Sequence, residues 1–220
     1  MCGRFVSKAE ADLERFFNVR PSQFKLFESY NVCPRMNIPV VRLKDADREL
    51  VFLRWGLIPF CAEDTKIGDR LINARAETVR TKPAFRAAFK WRRCLIPVSG
   101  FYEWQRSVNP SLPHYVCRRD GAPMTFAGLW ESWTNKQSGE VIESCAIITC
   151  EANSFVAPVH HRQPVILEPE TFDVWLSGST DEAEGLLRPG AVDLEVYPIA
   201  RRVNSPRHND AGLIEPLWAA

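Results

Sequence analysis

Apolar and polar positions along this chain follow two periods, and the two-residue period of the β-strand dominates. Runs rich in β-branched and aromatic residues span 39–43, 49–55, 93–98, 101–105, 114–118, 125–130, 144–150 and 194–199. Each has strand length, and turn signals such as Asp120-Gly121 and Ser138-Gly139 separate several of them. Helical spacing is confined to three places. Ser7-x-x-Glu10 reads as a capping box, followed by Leu13, Phe16 and Phe17, so a helix is expected to start near Ser7. A second is expected near Thr81, burying Phe85, Ala88 and Phe89, and a third from about Pro169, burying Phe172, Trp175 and Leu176. The pattern predicts an α+β fold: a β-rich single domain over residues 1–220, with a curved, barrel-like mixed sheet and peripheral short helices. No internal repeat is visible, and the glycine fingerprints of Rossmann and P-loop folds are missing.

Composition narrows the class. With 220 residues, 45% hydrophobic and 25% charged, the chain has the balance of an ordinary soluble domain that can bury a core. No stretch approaches the roughly 20 apolar residues of a membrane span. The start lacks a basic segment followed by an apolar run, so the expectation is a cytoplasmic protein with no membrane partner. The cysteine count is odd, at seven, and no pair has C-x-x-C spacing. Free thiols are therefore expected, with no metal and no cofactor. A net charge of +1 does not announce a nucleic-acid binder. The basic residues are mostly arginine, which suits bidentate phosphate recognition but equally follows from GC-rich coding.

Chemistry changes the picture at the first four residues, Met1-Cys2-Gly3-Arg4. A small second residue permits removal of the initiator methionine, which leaves Cys2 with both a free α-amine and a thiol. The α-amine has a reference pKa of about 7.7–8.0 against about 10.4 for lysine, so roughly a tenth of it is uncharged near neutral pH. It is thus a ready Schiff-base nucleophile, and the neighbouring thiol can close onto the imine carbon to form a thiazolidine. An aldehyde is the electrophile that suits this pair. Gly3 lets backbone approach a ligand closely, and Arg4 has the charge to neutralise a phosphate. The plain alternative is an ordinary thiol near a chain end.

Further along lie Tyr30-Asn31-Val32-Cys33-Pro34, Trp55-Gly56-Leu57-Ile58-Pro59, Ile72-Asn73-Ala74-Arg75-Ala76-Glu77-Thr78, Pro97-Val98-Ser99-Gly100-Phe101-Tyr102-Glu103-Trp104 and His160-His161-Arg162-Gln163-Pro164. Glu103 stands in an apolar, strand-like run. Buried there, it would have a raised pKa suited to proton shuttling; facing outward, it would be the polar residue that alternation provides. His160 and His161 are two of only four histidines, the side chain best matched to proton transfer near pH 7.

With the Met-Cys-Gly-Arg-Phe start, these segments resemble, in order and spacing, the SRAP (SOS-response-associated peptidase) family, whose members cross-link abasic sites. The family's patterns are M-C-G-R-F, Y-N-V-x-P, W-G-x-x-P, I-N-A-R-x-E-T, P-x-x-G-F/W-x-E-W and H-x-R-x-P. The resemblance implies a monomeric protein that binds single-stranded DNA containing abasic sites, with Cys2 as nucleophile toward the open-ring sugar aldehyde. It implies that Asn73 orients the amine or sugar oxygen, that Glu103 and His160 move protons, and that Gly3, Arg4, Pro34, Arg75 and Arg162 contact DNA. Three departures stand out. His161 replaces an Asp common in the family, Phe60-Cys61 follows Pro59 where a base-stacking Trp is usual, and Cys33 replaces Ala. The segment from Val203 to Asp210 matches the family's C-terminal stretch only loosely. Two other readings remain open at this point: a thiol peptidase acting on its own N-terminus, and a non-covalent sensor of single-stranded DNA.

Overall fold

The computed structural model describes residues 2–8, 13–19 and 28–219. In chain order the strands are β1 (Phe5–Ser7), β2 (Ser29–Val32), β3 (Asn37–Lys44), β4 (Asp47–Trp55), β5 (Asn73–Arg75) and β6 (Arg93–Val98). They continue with β7 (Gly100–Gln105), β8 (Leu112–Arg118), β9 (Met124–Thr134), β10 (Val141–Glu151), β11 (Arg162–Pro164) and β12 (Leu194–Pro198). The α-helices are short: α1 (Leu13–Phe16), α2 (Arg86–Trp91), α3 (Phe172–Ser177) and α4 (Thr180–Gly185).

The long strands close on themselves. β4 pairs with β3, β3 with β6, β6 with β9 and β9 with β10, all antiparallel. A parallel pairing of β10 with β4 then completes a mixed five-stranded barrel. Closure removes the open edges that two of these strands would otherwise present. Two short strands, β5 and β11, attach to β10 outside the ring. A second, antiparallel sheet has the order β12-β8-β7-β1-β2. In it Phe5 faces Phe101 on one side and Val32 on the other.

Alternation along β6 divides its side chains between two of the three apolar clusters. In β6, Cys94, Ile96 and Val98 join Phe126 of β9 and the second sheet's Phe5 and Phe101 in one cluster. Leu95 joins the other, with Phe89 of α2 and Phe172 and Trp175 of α3. Arg93 is buried where β6 begins and donates to the carbonyls of Phe89, Trp175 and Gly178, satisfying the C-terminal ends of α2 and α3. Gly56 explains the glycine after Trp55: its φ is +124°, and a Cβ there would sit 2.6 Å from the Gly68 carbonyl oxygen.

The β-rich, barrel-containing architecture agrees with the sequence pattern, and the helix over 172–177 buries the three residues expected of it. Two helix starts differ. Ser7 ends strand β1, paired with Ser29, so it does not cap a helix; among the described residues the first α-helical turn covers Leu13–Phe16, and Glu10 of the supposed capping box lies outside them. Ladder bonds to β2 and β7 outweigh the local capping signal. Thr81 lies in a run of turns; α2 starts at Arg86, beyond Pro83, with Phe85 buried at its N-cap. Among the described residues no helix is long and apolar enough to cross a membrane.

Candidate functional site

Because β1 is held between β7 and β2, the residues preceding it lie against the middle of the second sheet. Cys2 is fully buried and packs in the same cluster as Phe5, Trp55 and Phe101. Asn73 reaches it from β5, a strand whose position is set by parallel pairing with Ile147 of β10. Its Nδ2 donates to the Cys2 carbonyl oxygen at 2.8 Å. Its Oδ1 is buried and has no hydrogen-bond partner among the described residues, an acceptor that a ligand hydroxyl or an amine would satisfy. Trp55, in the same cluster, donates from Nε1 to the Ile72 carbonyl at 3.0 Å and fixes the residue before Asn73.

Glu103 occupies the middle of β7 and is 2% exposed, so it is the inward-facing alternative that holds. Burial raises its pKa, and its charge is close enough to help raise that of the Cys2 thiol, which burial already pushes far up. His160 is reached from the loop that follows β10. Asn153 accepts from the Phe155 and Val156 amides there, and the His160 amide donates to Val156 O at 3.0 Å. The ring's Nδ1 lies 3.0 Å from the Arg162 amide nitrogen, which can only donate, and 3.2 Å from the Arg162 carbonyl oxygen, which can only accept, so Arg162 can meet Nδ1 in either tautomer. Burial lowers its pKa to about 4, so the ring is neutral at pH 7. His161 stacks on it, centroids 4.5 Å apart. Gln105 ties the end of β7 to this loop through Pro158 O at 3.4 Å, and the Arg106 cation acts on both Glu103 and His160.

Asn73 thus touches Cys2, the Glu103 charge reaches its thiol, and His160 shares the Arg106 field with Glu103. A thiol peptidase works with a thiolate beside an imidazolium. Here the thiol is pushed up and the imidazole down, so both shifts oppose that pair. An uncharged thiol, a carboxyl of raised pKa and a neutral imidazole suit proton exchange with a neutral electrophile.

The expected DNA contacts separate into two groups. Arg75 is exposed on the lip of a groove of about 700 Å³, lined also by Arg70, Asn73, Thr78, Thr81 and Lys82. Among the described residues Arg70, Arg75 and Lys82 form no salt bridge, although the Arg75 charge helps hold the Glu77 carboxyl down. Arg162 is instead buried, its Nη1 and Nη2 on the Glu77 carboxylate at 2.6 and 3.0 Å and on Thr149 O. Arg4 is half-buried, donating to Asn31 Oδ1 at 2.8 Å and Val203 O at 2.7 Å. Gly3 and Pro34 are half-buried, Pro34 opening the turn after β2. Sequence reasoning missed Arg70, Lys82 and Arg106; the sequence does not distinguish a free cation from one paired across the fold. Phe60 is 61% exposed, beside an apolar pocket of about 490 Å³ that shares Pro83 with the basic groove.

The family model described as SOS response associated peptidase (SRAP) matches residues 1–206. The chain is 40% identical over 227 residues to the abasic site processing protein YoaM of Bacillus subtilis, covering 98% of each. It is 32% identical over 214 residues to the abasic site processing protein HMCES of Xenopus tropicalis, covering 82% of this chain and 64% of that one. A crystal structure of a Bacteroides thetaiotaomicron protein superposes with a TM-score of 0.88 at 29% identity, covering 98% of this chain and 99% of the other.

Proposed function

This chain belongs to the SOS response associated peptidase (SRAP) family, and from that premise we propose that it captures abasic sites in single-stranded DNA by a covalent bond to Cys2. The observation that carries the reading is the hydrogen bond from Asn73 Nδ2 to Cys2 O, made beside a buried Glu103.

The reaction begins once Met1 has been removed. The freed α-amine adds to C1′ of the ring-opened deoxyribose, and loss of one water gives an imine. The thiol then adds across the C=N bond, sulfur to carbon and proton to nitrogen, closing a thiazolidine. Because the buried thiol is protonated at rest, the amine acts first and the sulfur second. Asn73 Oδ1 accepts from the amine or a sugar hydroxyl. Glu103, its pKa raised by burial, takes and returns a proton. A ring N–H of the neutral His160 donates to the departing oxygen. Ring closure removes the imine that would otherwise drive β-elimination and strand cleavage. The missing base abolishes the unstacking cost and leaves space at C1′.

Arg75, with Arg70 and Lys82, neutralises phosphates of the bound strand, so binding weakens as salt rises. Phe60 offers a ring for stacking in place of the family's tryptophan, a contact worth about 1–3 kcal/mol per base. Arg162 acts through Glu77, and Gly3 and Pro34 shape the floor beneath the sugar. The protein works as a cytoplasmic monomer. Denaturing electrophoresis with single-stranded DNA containing one abasic site tests the assignment: wild type gives a band that survives denaturation, and Cys2→Ala gives none. A stable band from Cys2→Ala refutes it.

A further inference from the structure

The segment after β12, loosely matched in sequence, touches every strand that carries the front of the site. Arg4, between Cys2 and β1, donates to Val203 O at 2.7 Å and Asn204 O at 3.4 Å. Asn31 of β2 is 3% exposed; its Oδ1 accepts from Arg4, and its Nδ2 donates to Val203 O, Ser205 O and His208 O at 3.4, 3.1 and 2.8 Å. Asn209 Oδ1 accepts from the Tyr30 amide at 2.7 Å and from Ser29 Oγ at 3.3 Å. On the other side Asn204 Oδ1 accepts from Trp104 Nε1 at 2.7 Å, one residue from Glu103. Tyr102 Oη donates to Tyr30 O at 2.7 Å, joining β7 to β2 across β1.

We infer that residues 203–209 form a polar clasp that holds β1 between β2 and β7, and that Arg4 and Asn31 are positioning residues acting through it to set Cys2 against Glu103. β1 has only three residues and makes few ladder bonds of its own, so its placement rests on these side chains. A guanidinium with three protein acceptors is a tether rather than a phosphate ligand. The inference deepens the reading of Cys2 as nucleophile, but its structural half stands without it.

The test compares Arg4→Gln and Asn204→Ala with wild type. Asn204 is exposed, so its truncation leaves the fold intact. Hydrogen exchange reads the clasp directly, because the Tyr102 amide donates to Arg4 O at 3.0 Å. Both variants should speed exchange at Tyr102 about tenfold or more, with Ala127 of β9 unchanged. Unaltered protection at Tyr102 overturns the inference, whatever the DNA chemistry does. In single-turnover cross-linking, both variants should lower the rate at saturating abasic DNA about tenfold. The salt dependence of binding, read in a Cys2→Ala background, should keep its slope. A slope reduced by about 0.7 for Arg4→Gln, with the saturated rate preserved, identifies Arg4 as a phosphate contact and overturns its assignment as a tether. If wild type forms no cross-link, the proposed function fails, and the exchange result alone decides on the clasp.

Discussion

The barrel and the site are built in opposite ways. β9 and β10 run for 11 residues each and pair along most of their length, so the ladder and the apolar faces fix their register. β1, β5 and β11 have three residues each, yet they carry or adjoin Cys2, Asn73 and His160. Side-chain bonds hold these pieces: Asn73 to Cys2 O, Arg4 to Asn31, and Arg162 to Glu77. The long strands therefore carry most of the fold's ladder and core, and the polar bonds of the short ones set where Cys2, Asn73 and Arg162 lie. Changes in the first group should act on stability and in the second on rate.

The largest effect should come from breaking the barrel. Phe126 is fully buried and meets Phe101 edge-on at 5.7 Å. Phe126→Ala should lower stability by about 3–5 kcal/mol in urea titration, while the molecules that remain folded still cross-link. Asn73→Ala should do the reverse. Its cross-linking rate should fall about a hundredfold, the scale for losing one oriented polar group, with the urea midpoint little changed. A comparable loss of stability in Asn73→Ala would erase the contrast between the two regions.

Smaller effects sharpen the comparison. Lys82→Gln, or Arg70→Gln, should reduce the slope of log affinity against log salt by about 0.7, without altering the rate at saturation. An unchanged slope would take that groove out of the DNA path. The least effect concerns pH. Burial raises the folded-state pKa of Glu103, so the native state binds its proton more tightly than the unfolded chain does. Its contribution is full below the unfolded carboxylate pKa and is lost as pH rises through the raised folded value. His160 has the opposite sign: with its folded pKa lowered to about 4, stability falls as pH drops from the unfolded value near 6.5 toward 4. Glu103→Gln should therefore gain stability relative to wild type as pH rises toward neutral, and His160→Gln should lose part of the acid-side decline. Parallel pH–stability curves for wild type and both variants would contradict these burial effects.

How much of this was legible follows from the same contrast. The barrel strands declared themselves by alternation, and β6 has the bounds that the pattern gave, because its full burial leaves an apolar run between turns. β1, β2, β5 and β11 are too short to show a period; their residues were noticed for their chemistry. Ser7 misled because a capping box is a local signal, whereas pairing with Ser29 is made across the fold. The pairing of Arg4 with Asn31, and of Arg162 with Glu77, joins residues distant in sequence, and neither motif announces its partner. Glu103 was ambiguous between inward and outward faces until its strand was placed, with Phe101 paired to β1 and Glu103 itself to His114 of β8.

The central claim concerns both reactive groups of Cys2, and mass spectrometry of the purified adduct tests it most directly. The account predicts a mass equal to the Met1-free protein plus the abasic oligonucleotide less one water, with Cys2 alone among the denatured cysteines resistant to alkylation. An adduct that retains Met1, or one whose Cys2 sulfur is freely alkylated, would contradict it.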